Sequence, residues 1–232
     1  MSNMKIKKLA LGVGMMALIA SPAYGTATLK LDDGVNPVFL VLDGGAGDVN
    51  PVTGAVTYIF SLGNWTGTVE TGRTLPDIGT AILPKLSLSV SASSSAAGTL
   101  AVSFSEIGFG PLAGHFVAET ALTSLAPAAT VTYSTYGDTG NAIFGNDGTL
   151  AQMSNTYTVS PDSDSLPAPL GGPAAAPYSL TGKIVITHTS NDHQASNASM
   201  VLTAVPDGGT TLALLGCSML GLGTLRRKFG KH

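Results

Sequence analysis

Cysteine is almost absent: Cys217 is the single one in 232 residues, so neither an internal disulfide nor a cysteine-based metal centre can form. Any folded part must be held by burial and a hydrogen-bonded backbone alone. Charge is scarce too, with Asp, Glu, Lys and Arg at 11% of the chain against about 25% in ordinary soluble domains. Aromatic residues reach only 6%. The chain is rich instead in 29 glycines and 13 prolines, which break helices through backbone entropy or a missing N–H, and this excludes coiled coils and helical bundles. An apolar content of 44% excludes a wholly disordered chain.

The few basic residues are unevenly spread. Lys5, Lys7, Lys8, Arg226, Arg227, Lys228 and Lys231 lie near the ends, which leaves Lys30, Arg73, Lys85 and Lys183 against thirteen carboxylates in residues 26–205. That interior is acidic, and a nucleic-acid partner, which needs clustered Lys and Arg, is not expected.

Both ends read as addresses. Residues 1–25 have the three parts of a secretory signal peptide: the basic Lys5, Lys7 and Lys8, the apolar run Leu9–Ala20, and the helix-breaking, small-residue stretch Ser21–Gly25. Cleavage after Ala23 or Gly25 fits. The run is too short to span about 30 Å of hydrocarbon comfortably. At the other end, residues 208–225 form an apolar stretch which, at about 1.5 Å per residue, covers a bilayer core. Arg226, Arg227 and Lys228 follow at once, within a basic end at 226–232, and would be held on the cytoplasmic side, so that the preceding domain faces outward.

Val205, Pro206, Asp207, Gly208 and Gly209 stand just before this run. The tail from 205 to 232, with its short Pro-containing motif, transmembrane run and basic end, resembles the PEP-CTERM class of bacterial sorting signals, closest to the VPDSG-type variant, with Gly208 where that variant has Ser. The resemblance implies export and recognition by an exosortase-type membrane enzyme, which processes the tail and passes the protein to the cell envelope or extracellular matrix. Pro206 would interrupt regular structure and Gly208–Gly209 would leave an accessible backbone just outside the membrane.

Between the ends, residues 26–204 show short runs of period two bounded by Gly, Pro, Asn and Asp. Leu86, Leu88 and Val90 alternate with Ser87, Ser89 and Ser91, and Leu100, Val102 and Phe104 with Thr99, Ala101, Ser103 and Ser105. Val56, Tyr58 and Phe60, Val131 and Tyr133, Lys183–His188 and Ser199–Val205 behave similarly, and Pro37–Asp43, apolar on both faces, suggests a central strand. Nine to twelve strands without an amphipathic helix between them predict an all-β fold, one antiparallel β-sandwich or jelly roll. The proline-rich Ser160–Pro177 reads as a long loop. The stretches DGVNPVFLVLDGGAGDVNPVTGAVTYIFSLGNWTGTVETG, LAVSFSEIGFGPL and YSLTGKIVITH also resemble a recurrent ectodomain found beside such sorting tails, which implies a β-rich exported domain and no particular activity.

Few residues suggest chemistry. Asp43, Asp48 and Asn50 in the Gly-rich turn DGGAGDVN offer oxygens of the kind Ca²⁺ prefers, though the same stretch serves as a hairpin turn. His188 and His193, with Asp192 between them, fit a surface turn better than a metal site, lacking helical spacing and a third ligand. No G-x-S-x-G elbow marks a nucleophile, and Glu70, Glu106 and Glu119 cannot be paired by spacing. Trp65, Tyr133, Tyr136 and Tyr178 would be core residues or a sugar-stacking platform. The Asn64 and Asn197 glycosylation sequons are read as chance matches, since the tail resembles a bacterial sorting signal. No cofactor motif is present. The expectation is a non-enzymatic exported protein of the envelope or exopolysaccharide matrix, structural or adhesive. A carbohydrate-binding module and a carbohydrate-active enzyme on the same sandwich are the alternatives.

Overall fold

The computed structural model describes residues 25–112, 114–168, 175 and 177–206, and within them twelve strands pair antiparallel in two six-stranded sheets. In the first sheet the spatial order is β2 (Phe39–Leu42), β1 (Thr28–Asp32), β6 (Gly98–Phe109), β11 (Tyr178–His188), β8 (Thr130–Asp138) and β9 (Leu150–Tyr157). In the second it is β10 (Asp162–Ala168), β7 (Gly114–Ser124), β12 (Gln194–Pro206), β5 (Lys85–Ser94), β4 (Trp65–Arg73) and β3 (Ala55–Leu62). The fold is the expected all-β sandwich.

Period two generates the core directly. In β5 Leu86, Leu88, Val90 and Ala92 are buried while the intervening serines stay half-exposed, and β12 buries Ala198, Met200, Leu202 and Ala204 in the same rhythm. Opposite them stand Leu100, Val102 and Phe104 of β6 and Leu180, Ile184 and Ile186 of β11. Gly72 lets the sheets close at one point. A Cβ there would stand 2.6 Å from the Phe104 ring, so the missing side chain is the space that ring occupies.

Two segments depart from the sequence reading. Pro37–Asp43 does not supply a central strand: β2 is the outermost strand of its sheet, pairs only with β1, and buries only Val41 while Phe39, Leu40 and Leu42 are exposed. Its apolar outer positions partly meet the edge of the other sheet, where Phe39 stacks on Tyr58 of β3 with ring centres 5.2 Å apart. Within Ser160–Pro177, predicted as loop throughout, Asp162–Ala168 forms β10 along the free side of β7. An edge strand needs backbone pairing on one side only, which the polar sequence DSDSLPA can provide.

Beyond β8, residues 139–149 fold back over the outer face of the first sheet. The Asn141 side chain accepts the Gly108 amide at 2.7 Å, the Phe144 amide donates to Ser105 Oγ at 3.1 Å, and Lys30 Nζ lies 4.6 Å from the Phe144 ring centre. Ser105 and Thr181 are thereby buried on a face that would otherwise be wet.

Candidate functional site

The Gly-rich turn that links β2 to β3 is built by its own carboxylates. Asp48 accepts the amides of Asn50 and Thr57 through Oδ1, at 2.9 and 3.0 Å, and that of Gly44 through Oδ2 at 3.0 Å. Asn50 accepts the Val52 amide and donates to Thr57 Oγ1. Asp48 and Asn50 therefore act as turn scaffolding, their oxygens directed at N–H groups. Asp43 is placed differently. Its Oδ2 accepts the Gly54 amide at 2.7 Å, and its side chain lies near a second carboxylate that sequence spacing did not connect with it, Glu106.

Glu106 follows Phe104 on the inward face of β6 and is fully buried, with the Thr74 hydroxyl and the Leu75 amide facing its carboxyl at less than ideal hydrogen-bond geometry. Burial is the main cause that pushes its pKa up to about 8; hydrogen bonding from the facing Thr74 hydroxyl opposes this, the Asp43 charge adds to it, and the Leu75 amide opposes it in turn. The Thr74 hydroxyl is itself buried, and Glu106 is the acceptor it faces. Three chain segments converge here because the Thr74 amide donates to the Gly54 carbonyl at 2.8 Å, tying the β4–β5 connection to the β2–β3 loop. Gly54 is required for that approach: its φ is +84°, and a Cβ would fall 2.2 Å from the Leu75 carbonyl oxygen.

At the far end of β11, His188 corrects the sequence reading. It is buried, not part of a surface turn, and bridges two serines: Nδ1 lies 2.7 Å from Ser94 Oγ and Nε2 lies 2.9 Å from Ser196 Oγ. A neutral imidazole has one donor and one acceptor, so one serine donates and the other accepts. Trp65 packs against it with ring centres 4.7 Å apart, and burial lowers its pKa. His193 and Asp192 are exposed in the β11–β12 turn, so the three do not assemble. Among the described residues no three carboxylate, imidazole or thiol groups come together.

The aromatic platform is not built. Trp65, Tyr133 and Tyr178 are buried, Tyr136 is half-buried, and Tyr133 meets Tyr157 edge-on. Glu70 and Glu119 are exposed on strands β4 and β7, whereas Glu106 is sealed in the interior. The outer sheet faces carry hydroxyls instead. On the second sheet, Thr68, Ser91 and Asn197 stand in one row of the ladder and Thr71, Ser89 and Ser199 in another. On the first, Thr99 meets Thr187 at 3.1 Å and Thr132 meets Thr156 at 2.8 Å. Beside these, Asp32, Asp33, Thr99, Ala101, Lys183 and Val185 line an open depression of about 250 Å³.

Of the motif residues, Val205 and Pro206 end β12, in register with His115 and Gly114 of β7. Asp207, Gly208 and Gly209, the apolar run 208–225, the basic Arg226, Arg227 and Lys228, and the N-terminal segment 1–24 lie outside the described residues. Among the described residues no helix is long and apolar enough to cross a membrane.

Comparison with known proteins bears on the tail. Residues 204–229 match the VPDSG-CTERM motif, so the chain carries a sorting signal of the PEP-CTERM type, which implies an exported protein. No curated protein matches the chain. A solved structure described as a study of the promiscuous specificity of carbohydrate-binding modules from the β-sandwich superfamily is 14% identical, with a TM-score of 0.36, over 79% of this chain and 84% of that one. So distant a likeness transfers no ligand.

Proposed function

We propose that this is an exported envelope or extracellular-matrix protein with a structural or adhesive role, whose C-terminal signal is recognised and processed by an exosortase-type membrane enzyme. The observation that carries this reading is the VPDSG-CTERM match at residues 204–229, which starts within the last strand of the sandwich. The passenger is thus joined to its address without an intervening domain. The hydroxyl-rich, sparsely charged outer faces suit contact with hydrated exopolysaccharide, which is the partner proposed for the mature domain. The proposed role is non-enzymatic.

The test compares the full chain with a chain lacking residues 207–232, both expressed in native cells and followed by fractionation. Full-length material should accumulate in the envelope or matrix, and the shortened chain should be exported yet released as soluble protein. An identical distribution of the two would defeat the sorting role.

A further inference from the structure

We infer that the Thr80–Leu83 turn is a membrane-contact face: while the sorting tail is in place, Ile82 and Leu83 rest in the outer surface of the lipid bilayer. The inference rests on the reading of residues 208–225 as a membrane run. One residue, Asp207, separates that run from Pro206, where β12 ends, and two extended steps of chain cover no more than about 7 Å. So short a link leaves no slack. The end of the sandwich from which the chain leaves stands at the bilayer, and the side chains exposed there meet lipid.

The β4–β5 connection reaches this end. The Ala204 amide donates to the Pro84 carbonyl at 3.0 Å, which sets the turn beside the last residues of β12. Its backbone is well satisfied: the Thr80 amide donates to the Leu83 carbonyl at 2.9 Å, the Leu83 amide to Thr80 Oγ1 at 3.0 Å, and the Gly110 amide to the Ala81 carbonyl at 2.8 Å. The turn nevertheless sends two neighbouring apolar side chains outward, Ile82 at 62% exposure and Leu83 at 43%. Moving such groups from water into the boundary between headgroups and acyl chains is favourable. The β2–β3 loop, tied to the same connection through Thr74 and Gly54, adds the exposed Val49 and Val52. The carboxylates of these two connections, which anionic lipid would repel, are engaged within the protein: Asp77 by Arg73, and Asp43 and Asp48 by backbone amides.

The experiment uses the full-length chain with Cys217→Ser, carrying an environment-sensitive fluorophore at Ile82→Cys or, just before the start of β12, at His193→Cys. Thirteen residues of strand put the two ends about 40 Å apart. Each chain is reconstituted into vesicles of phosphatidylcholine and phosphatidylglycerol, with or without bromine on the acyl chains, and floated on a density gradient. The label at position 82 should lose most of its emission to bromine and the label at 193 none. Leu83→Asp, a change at an exposed position, should relieve the loss when added to the Ile82→Cys chain. Chains that float with an unquenched label at 82 would overturn the contact while the membrane run stands, and would leave the turn to a protein partner. Equal quenching with and without Leu83→Asp would also overturn it, since the short tether alone would then account for the proximity. Failure to float would remove the membrane run and the contact together.

Discussion

His188 shows how a single side chain can change meaning when the fold is known. In the sequence it sits at the end of KIVITH, five residues before another histidine, and the pattern favours a turn. In the fold it is the final inward residue of β11, at the level of Ser94, Ser196 and Trp65, none of which is charged. No sequence signal marks it, because the serines that satisfy it are separated from it by 94 and 8 positions. The consequence is a pH dependence of definite sign. Burial holds its folded pKa below the ordinary 6.5, so the unfolded chain takes up the proton first as pH falls. Stability from this residue is complete above about pH 6.5 and declines below it, until the folded pKa is passed. Urea midpoints at pH 7.5 and pH 5 should therefore fall further for the wild type than for His188→Gln, whose amide can still bridge both serines. Equal falls in the two proteins would show that His188 does not contribute.

At the scale of elements, legibility followed the chemistry of alternation. Strands with one wet and one dry face, such as β5 with its serines, are plain in the sequence because each side chain reports its own face. β2 and β10 were not legible, for opposite reasons. In FLVL every residue is apolar, so period two carries no information about which face is buried, and an edge strand reads like a central one. In DSDSLPA the polarity hides the strand, since its pairing with β7 is made by backbone groups that the side chains do not advertise. The neighbourhood of Asp43 and Glu106 was half legible in the same way. Asp43 lies in a recognisable acidic turn, whereas Glu106 stands on a strand whose inward face is otherwise apolar.

The β2 edge has a practical consequence. Leu40 is about half exposed at 51%, and with Phe39, Leu42 and Ile59 it presents apolar surface along the open side where both sheets end. An uncapped edge of this kind is a template for pairing with other chains. Leu40→Lys should lower light scattering on heating while changing the unfolding free energy by no more than about 0.5 kcal/mol, as expected for an exposed position. A large loss of stability would mean that Leu40 is covered in the native protein.

For the whole molecule, the decisive relation is the overlap of address and passenger. The sorting match starts at residue 204, yet β12 runs to Pro206, and Thr203, Ala204, Val205 and Pro206 stay in register with Val117, Phe116, His115 and Gly114. Pro206 can close the strand since a proline ends a ladder without requiring an amide bond beyond it. The proposed processing enzyme, to leave β12 whole, would cut after Pro206. Chains ending at Pro206 and at Met200 separate the two roles. The first keeps every β12 residue and should unfold at the same urea midpoint as the full chain. The second loses buried Leu202 and Ala204 together with the pairing of residues 201–206 to β7 and β5, and should be weaker by more than the ~2–5 kcal/mol that emptying one large core position costs. The intact mass of protein recovered from native cells then locates the natural end. A mature species lacking about 25 residues at each terminus, with its last residue at Pro206 or shortly beyond, is the expected product for two cleavable addresses flanking one domain. A mass corresponding to all 232 residues would mean that the tail is kept, and the sandwich would then function while still attached to its sorting signal.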